Sequence, residues 1–476
     1  MLKRKKLLIV LSSLLIVILL CGLYYKLLFK RVDPSKIDAD CEFLKNILSE
    51  ASIDVSKSID EGLDLDQLIE DIKNTYADDV KKNKLWMKIN ENGIATNRFA
   101  QCINTVFGKT LTRKNAHLSI TSPYGTYSPF MTNVVFYSEL LFEKSGTDYK
   151  CYSSNNKNIK PGMLYTGDEA NLFKTIIDGK ILYRYGCRVD KFMRIAKINV
   201  EGKDYKTLVK SNLGEIQDIK NFSFYTQDDT LFVYLNTFSW HTEADKNRFF
   251  SDIEDIGREI KNQEIKTIVF DLRHNSGGNS LLCYYLLGAL VCGDADERSQ
   301  EFDKYKRYFA YLDSNEICIN TLTSRNRLTL QGRGDDNLSR TLHKNTNEKY
   351  VAMGYPIEEL LTTVSPIYNG KIIFITDFYT ASSSEMFILA AKEAFKDNVI
   401  IVGQNTCGAL DYANVFNFTL NDSKDSIFLC FSDYTSCPLL KDSEIWEGDC
   451  MGIAPDYWFT FKDDFDNSLS FLIQNF

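Results

Sequence analysis

The densest group of residues able to do chemistry is YTASSSEMF, Tyr379 to Phe387, where three consecutive serines precede Glu385 and an apolar stretch. A serine at a strand-to-helix turn sits among free main-chain amides that stabilise developing negative charge, so nucleophilic acyl transfer is one chemistry this run could carry. The same letters also spell an ordinary helix start, with Ser383 or Ser384 as the cap and Glu385 in the first turn. A second run, DLRHNSGGNS from Asp271 to Ser280, holds Gly277 and Gly278. Two glycines let the backbone approach a ligand closely, which suits an oxyanion site, and they equally suit a tight turn into a helix. A serine nucleophile needs a base, and the chain offers four histidines: His117, His241, His274 and His343. An imidazole removes a serine proton near neutrality when an acid holds its other nitrogen. His117 also reads as a polar residue at a strand edge, His274 as a turn residue beside the glycines, and His241 as the start of a helix.

Both runs need elements that place them at one edge. From Thr230, LFVYLNTF reads as a buried strand, ADKNRFFSDIEDIGREIKNQ as an amphipathic helix and TIVFDLR as a second buried strand. The order repeats in KIIFITD, SSEMFILAAKEAF and VIIVG, which predicts an α/β domain over 229–476 with a largely parallel sheet. Such sheets bind ligands at the C-terminal ends of their strands, where both runs fall. Between the two repeats, a polar and weakly patterned stretch predicts an irregular excursion. Upstream, CEFLKNILSEA, LDQLIEDIKNTY and TNRFAQCINTVF space apolar residues at three and four, predicting a helical domain over 32–113. Aromatic and β-branched runs then predict a β-rich region over 114–228.

Residues 1–31 stand apart. Lys3, Arg4, Lys5 and Lys6 precede an apolar run from Leu7 to Leu28 with no small-x-small cleavage site, so the expectation is an uncleaved signal anchor. A cleaved signal, or a lipoprotein at Cys21, are the alternatives. The expected partner of this segment is a membrane, with the catalytic domain outside the cytoplasm. These 31 residues carry seven of the 56 basic groups and no acid, leaving 49 basic against 64 acidic groups, a body near −15. A surface that acidic argues against nucleic acid as a partner. Twelve cysteines are scattered singly, with no CxxC pair, which speaks against a metal site. Cys283, Cys292 and Cys430 read as small buried hydrophobes. No nucleotide, metal or flavin motif calls for a cofactor.

Four short motifs in order, DLRHNSGG, TASSSE, VGQNTCGA and MGIAPD, resemble the tail-specific (C-terminal processing) and tricorn-core serine peptidase family, whose patterns are DLRxNxGG, TASxSE, GExTxG and GxxPD. The resemblance covers roughly residues 230–460 and, weakly, the stretch around His117. It implies a ClpP/crotonase-like catalytic fold and a serine peptidase acting on peptides or protein tails. It carries the nucleophile to Ser382 and the oxyanion hole to the amide of Ser383 and that of Gly277 or Gly278. The processing branch takes its base from a lysine in T-x-G-K-G, but here the stretch is Thr406-Cys407-Gly408-Ala409-Leu410, so the resemblance is closer to the histidine-dependent branch. There the base falls on His117 in KNAHLSI, where Asn115-Ala116 replaces the family's Asp-Gly. The acid falls on Asp449, with Glu447 the alternative. The altered histidine stretch and missing lysine also fit a non-catalytic peptide-binding or scaffold protein on the same fold. No GxSxG elbow supports an α/β-hydrolase. The resemblance also implies a PDZ domain before the catalytic half, and the β-rich region has the length for a divergent PDZ-like domain; no Gly-Leu-Gly-Phe-like loop appears in it, so a preference for free C-termini is not expected.

Overall fold

The structure, a computed structural model, describes residues 2–130, 132–211, 222–240, 242–293, 315–318, 350–353, 367–420, 427–435, 443–461 and 465–476, with single positions 300 and 304. The chain divides into two compact units, one of residues 1–129, 318–349 and 414–433, the other of 130–317, 350–413 and 434–476.

In the first unit, α1 (Leu2–Leu28) leads into β1 (Phe29–Arg31), which pairs antiparallel with β2 (Trp86–Lys88). Among the described residues no helix is long and apolar enough to cross a membrane, so the expected bilayer crossing is not supported. Ser12, Ser13, Tyr24, Tyr25 and Lys26 interrupt the apolar run. The helical region forms as α2 (Asp38–Ala51), α3 (Ile53–Asp60), α4 (Leu65–Asn83) and α5 (Thr96–Thr110). The three-and-four spacing puts Leu44, Ile47 and Leu48, then Leu68, Ile72 and Tyr76, then Phe99, Ile103 and Phe107 in the core. Asp64 caps α4 by accepting from the Gln67 amide (3.0 Å). A turn carrying His117 then enters β3 (Ser119–Ser122), which pairs antiparallel with β4 (Gly125–Tyr127).

The second unit begins with a four-stranded antiparallel sheet, β5 (Val134–Ser145), β6 (Asp148–Ser153), β7 (Leu172–Ile177) and β8 (Lys180–Val189), in the order β6-β5-β8-β7. A hairpin of β9 (Ile195–Val200) and β10 (Lys203–Leu208) follows. No α-helix occurs among the described residues of 114–228.

The second sheet positions the site. It comprises β11 (Ser223–Gln227), β12 (Thr230–Tyr234), β13 (Thr267–Asp271), β16 (Lys371–Thr376), β17 (Val399–Gly403) and β20 (Tyr457–Trp458), in that spatial order. Strands β12 to β20 run parallel and β11 antiparallel. The polar excursion expected to be irregular contains β14 (Asn315–Cys318) and β15 (Tyr350–Met353); β18 (Tyr412–Thr419) and β19 (Phe428–Thr435) follow β17. Helices α6 (Glu243–Asn262), α7 (Ser280–Cys292), α8 (Ser383–Phe395) and α9 (Phe465–Asn475) surround the parallel sheet. Alternation along each strand explains the layers. Ile268, Phe270, Ile372, Phe374, Val399 and Ile401 pack with α6, α7 and α8, while Val269, Ile373, Ile375, Ile400 and Val402 pack with α9 and with Ile176 of β7. A sheet apolar on both faces is buried between layers, which is why these strands read as unbroken hydrophobic runs.

Candidate active site

Strand β16 delivers the chain to a turn, 377–382, that starts α8. Asp377, buried, organises it by accepting from the amides of Tyr379 (2.9 Å) and Thr380 (3.0 Å). The Thr380 hydroxyl donates across to the Leu272 carbonyl (2.9 Å), tying this turn to the one after β13. Ser382 lies immediately ahead of the helix, half-buried, at φ 55 and ψ −122. An L-residue holds a positive φ at a cost of order 1–3 kcal/mol, which the packed turn must supply.

The second turn, Leu272 to Asn279, joins β13 to α7 and is built around Asn275, which is fully buried. Its side-chain amide donates to the Leu235 carbonyl (2.9 Å), its Oδ1 accepts from the Gly277 amide (3.0 Å), and its carbonyl accepts from the Ala381 amide (3.0 Å) and the Ser384 hydroxyl (2.9 Å). Asn275 therefore holds the glycines against the serines. Gly277 has φ 93, and a Cβ there would stand 2.7 Å from the Ala381 carbonyl oxygen and 2.9 Å from Ser382 Cβ. Only glycine permits that approach. Gly278 accepts at its carbonyl from the Ser383 hydroxyl (2.8 Å). With the Gly277 amide committed to Asn275, two amides at this junction, Gly278 and Ser383, have no hydrogen-bond partner among the described residues. Two unsatisfied amides flanking a half-buried serine can bind an oxyanion.

Beneath the serine lies Glu385, fully buried. Its Oε2 accepts from the amides of Ser382 (2.8 Å) and Ala409 (2.9 Å), and its Oε1 from the Thr406 hydroxyl (2.5 Å) and the Gly408 amide (2.6 Å). Burial pushes its pKa up to about 7 against the pull of those four donors. Asp449, also buried, accepts at Oδ1 from the next two amides, Leu410 (2.9 Å) and Asp411 (2.8 Å). Two carboxylates thus capture four consecutive amides, 408–411. Glu447 instead makes an ion pair with Arg188.

His274, at φ 61, stacks on Tyr379 with ring centroids 4.9 Å apart. Its amide donates to Asp377 (3.0 Å) and its Nε2 lies 3.4 Å from Asp377 Oδ2, so it is fixed to the turn as the sequence suggested. His117 belongs to the first unit, in the turn before β3, where its amide donates to Asn115 Oδ1 (2.9 Å). His241 and His343 lie outside the described residues, as does the side chain of Cys430. Cys283 is in the core and Cys292 packs against it. Among the described residues no group of His, Cys, Asp and Glu is arranged to hold a metal ion.

The structure therefore brings Ser382, Ser383, Gly277 and Gly278 together, and places Asp449 against residues 410 and 411, next to the loop 406–409 that Glu385 ties to Ser382. Sequence reasoning missed Asn275 and the burial of Glu385. Asn275 is the fixed Asn of DLRxNxGG, a signal in hand; Glu385 passed for a first-turn dipole residue.

The family model described as Peptidase family S41 matches residues 229–457. No curated protein matches. Among solved structures, mature CPAF complexed with lactacystin is 14% identical, covers 91% of this chain and 96% of its own, and has a TM-score of 0.39. A putative peptidase from Parabacteroides merdae is 14% identical over 92% and 95% with a TM-score of 0.37. The photosystem II D1 C-terminal processing protease is 12% identical over 88% and 92% with a TM-score of 0.35. At these scores the structural likenesses carry no argument.

Proposed function

From the premise that this chain belongs to peptidase family S41 and is a serine-type peptidase, we propose that Ser382 is its nucleophile, His117 its general base and Asp449 the acid serving that base. The observation that carries the reading is the pair of unpartnered amides, Gly278 and Ser383, beside a serine held at φ 55. In acylation, Ser382 Oγ bonds to the scissile carbonyl carbon while its proton passes to the imidazole. The oxyanion is held by the two amides, and the C–N bond breaks as the imidazolium returns its proton to the leaving amine. Water, deprotonated by the same imidazole, then attacks the ester carbonyl, releasing the acid product and restoring the serine. The histidine assignment is supported by the loop 406–410, which offers no lysine. The substrates of this reading are extracytoplasmic peptides or protein tails. The exposed side chains of Leu14 to Leu20 on α1 leave an apolar surface that would anchor the chain at a membrane.

The test is labelling of the purified full chain with a fluorophosphonate, whose P–F bond is broken by an activated serine. Wild type should label, and Ser382→Ala and His117→Ala should each lose about 10³-fold or more in rate. Labelling that survives His117→Ala moves the base elsewhere. A folded wild type that never labels favours a non-catalytic binding protein.

A further inference from the structure

We propose that Glu385 is a positioning residue whose ionised carboxylate holds the Ser382 turn and the loop 406–409 in register, so that protonating it slows acyl transfer independently of the base. The inference rests on the reading of Ser382 as nucleophile. Its ground is geometric. One carboxylate, without exposed surface, accepts from Ser382, Thr406, Gly408 and Ala409; the turn and the loop are also joined by a main-chain bond from the Cys407 amide to the Thr380 carbonyl (2.8 Å), but Glu385 is what ties Ser382 itself to the loop. Three of the donors are amides, which cannot become acceptors. A protonated Glu385 must place its own O–H among them, and Thr406 Oγ1 is the one neighbour able to receive it. Thr406 Oγ1 also accepts from the Ile453 amide (2.7 Å), so that exchange reaches the chain leading into β20.

The titratable groups facing Glu385 are few. Cys407, on the same loop, has its thiol pushed up to about 12 by burial first and by the Glu385 charge second, and Asp449 and Asp377 stand beyond it. Among the described residues no cation hydrogen-bonds to Glu385, so nothing but neutral donors supports its charge. Burial raises its pKa from 4.5 to about 7, which places the protonation within an accessible range.

The experiment is the rate of fluorophosphonate labelling as a function of pH for the full chain, wild type against Glu385→Gln. Wild type should lose rate on the acid side with the steepness of two protons, one on the base and one on Glu385. Glu385→Gln, which mimics the protonated acid, should leave a one-proton limb and a plateau roughly 10-fold to 100-fold lower. Hydrogen exchange should speed at Gly408 and Ala409 and stay slow at Leu410 and Asp411. If Glu385→Gln does not fold, Thr406→Val carries the test: losing one donor to the carboxylate should move the second acid step up by about one pH unit. Wild-type labelling with an unchanged plateau and limb in Glu385→Gln, or an unmoved limb in Thr406→Val, overturns the inference while leaving Ser382 as nucleophile. A wild type that never labels sinks the Ser382 reading and takes this inference with it.

Discussion

The turn carrying His117 and the turn carrying Ser382 each lie beside a carboxylate removed from water, and the two differ in how that carboxylate is used. In the first unit Asp54 is almost fully buried, receives the Ser52 hydroxyl (2.5 Å), and lies against the side chain of Asn115. Asn115 in turn accepts from the His117 amide. Asp54 Oδ2 and the Asn115 side-chain nitrogen have no hydrogen-bond partner among the described residues, so the carboxylate there lies beside the amide without gripping the turn. In the second unit Glu385 grips the Ser382 amide directly, together with the loop beside it. Burial raises the pKa of both acids, most by desolvation, and neither is neutralised by a cation among the described residues. The contrast teaches that the histidine turn leans on one side chain, Asn115, whereas direct capture by a carboxylate ties the serine to a second loop.

The His117 turn is the weaker arrangement, and Asn115→Ala should loosen it. Removing a fully buried side-chain amide whose oxygen accepts from the His117 amide should cost about 1–3 kcal/mol in urea unfolding and slow fluorophosphonate labelling about 10-fold. Full stability with unchanged labelling would mean that the first-unit turn does not depend on Asn115.

A smaller effect sharpens the comparison through pH. A carboxylate with a raised folded pKa lends stability at low pH that is lost as pH climbs from its unfolded value to its folded one. Asp54→Asn and Glu385→Gln should therefore cost more stability at about pH 4 than at about pH 7, the Asp54 gap closing from the ordinary aspartate value of about 3.9 upward. The Glu385 gap should close between 4.5 and about 7. Urea midpoints across that range measure both, and a gap that widens with pH reverses the assigned cause.

The smallest effect belongs to an exposed acid. Glu447, paired with Arg188 and 40% exposed, should tolerate Gln with a loss of about 0–1 kcal/mol and labelling within about twofold. A larger loss of labelling would make Glu447, in place of Asp449, the partner of the base.

Much of the second unit was legible because its signals are local. Uninterrupted apolar runs such as TIVF and KIIFIT can only be strands buried on both faces, and the intervening amphipathic helix forces the parallel crossover. Turn chemistry likewise fixed where Ser382 and the glycines sit. The reading faltered at α1, where a basic start and an apolar run suggested a membrane span, and at Glu385, whose helical position said nothing of the loop about twenty residues onward that it would serve.

The order of the motifs, the strand and helix alternation and the placement of Ser382 ahead of a helix follow from the sequence alone, since each depends on a few neighbouring residues. Which glycine amide stays open was settled by the tertiary structure, because Asn275 claims Gly277 and leaves Gly278. The same holds for the capture of amides 408–411 by Glu385 and Asp449. A hydrogen bond between residues far apart in the chain is selected by the cost of leaving a buried polar group unpaired, and that cost exists only once the core has closed around it.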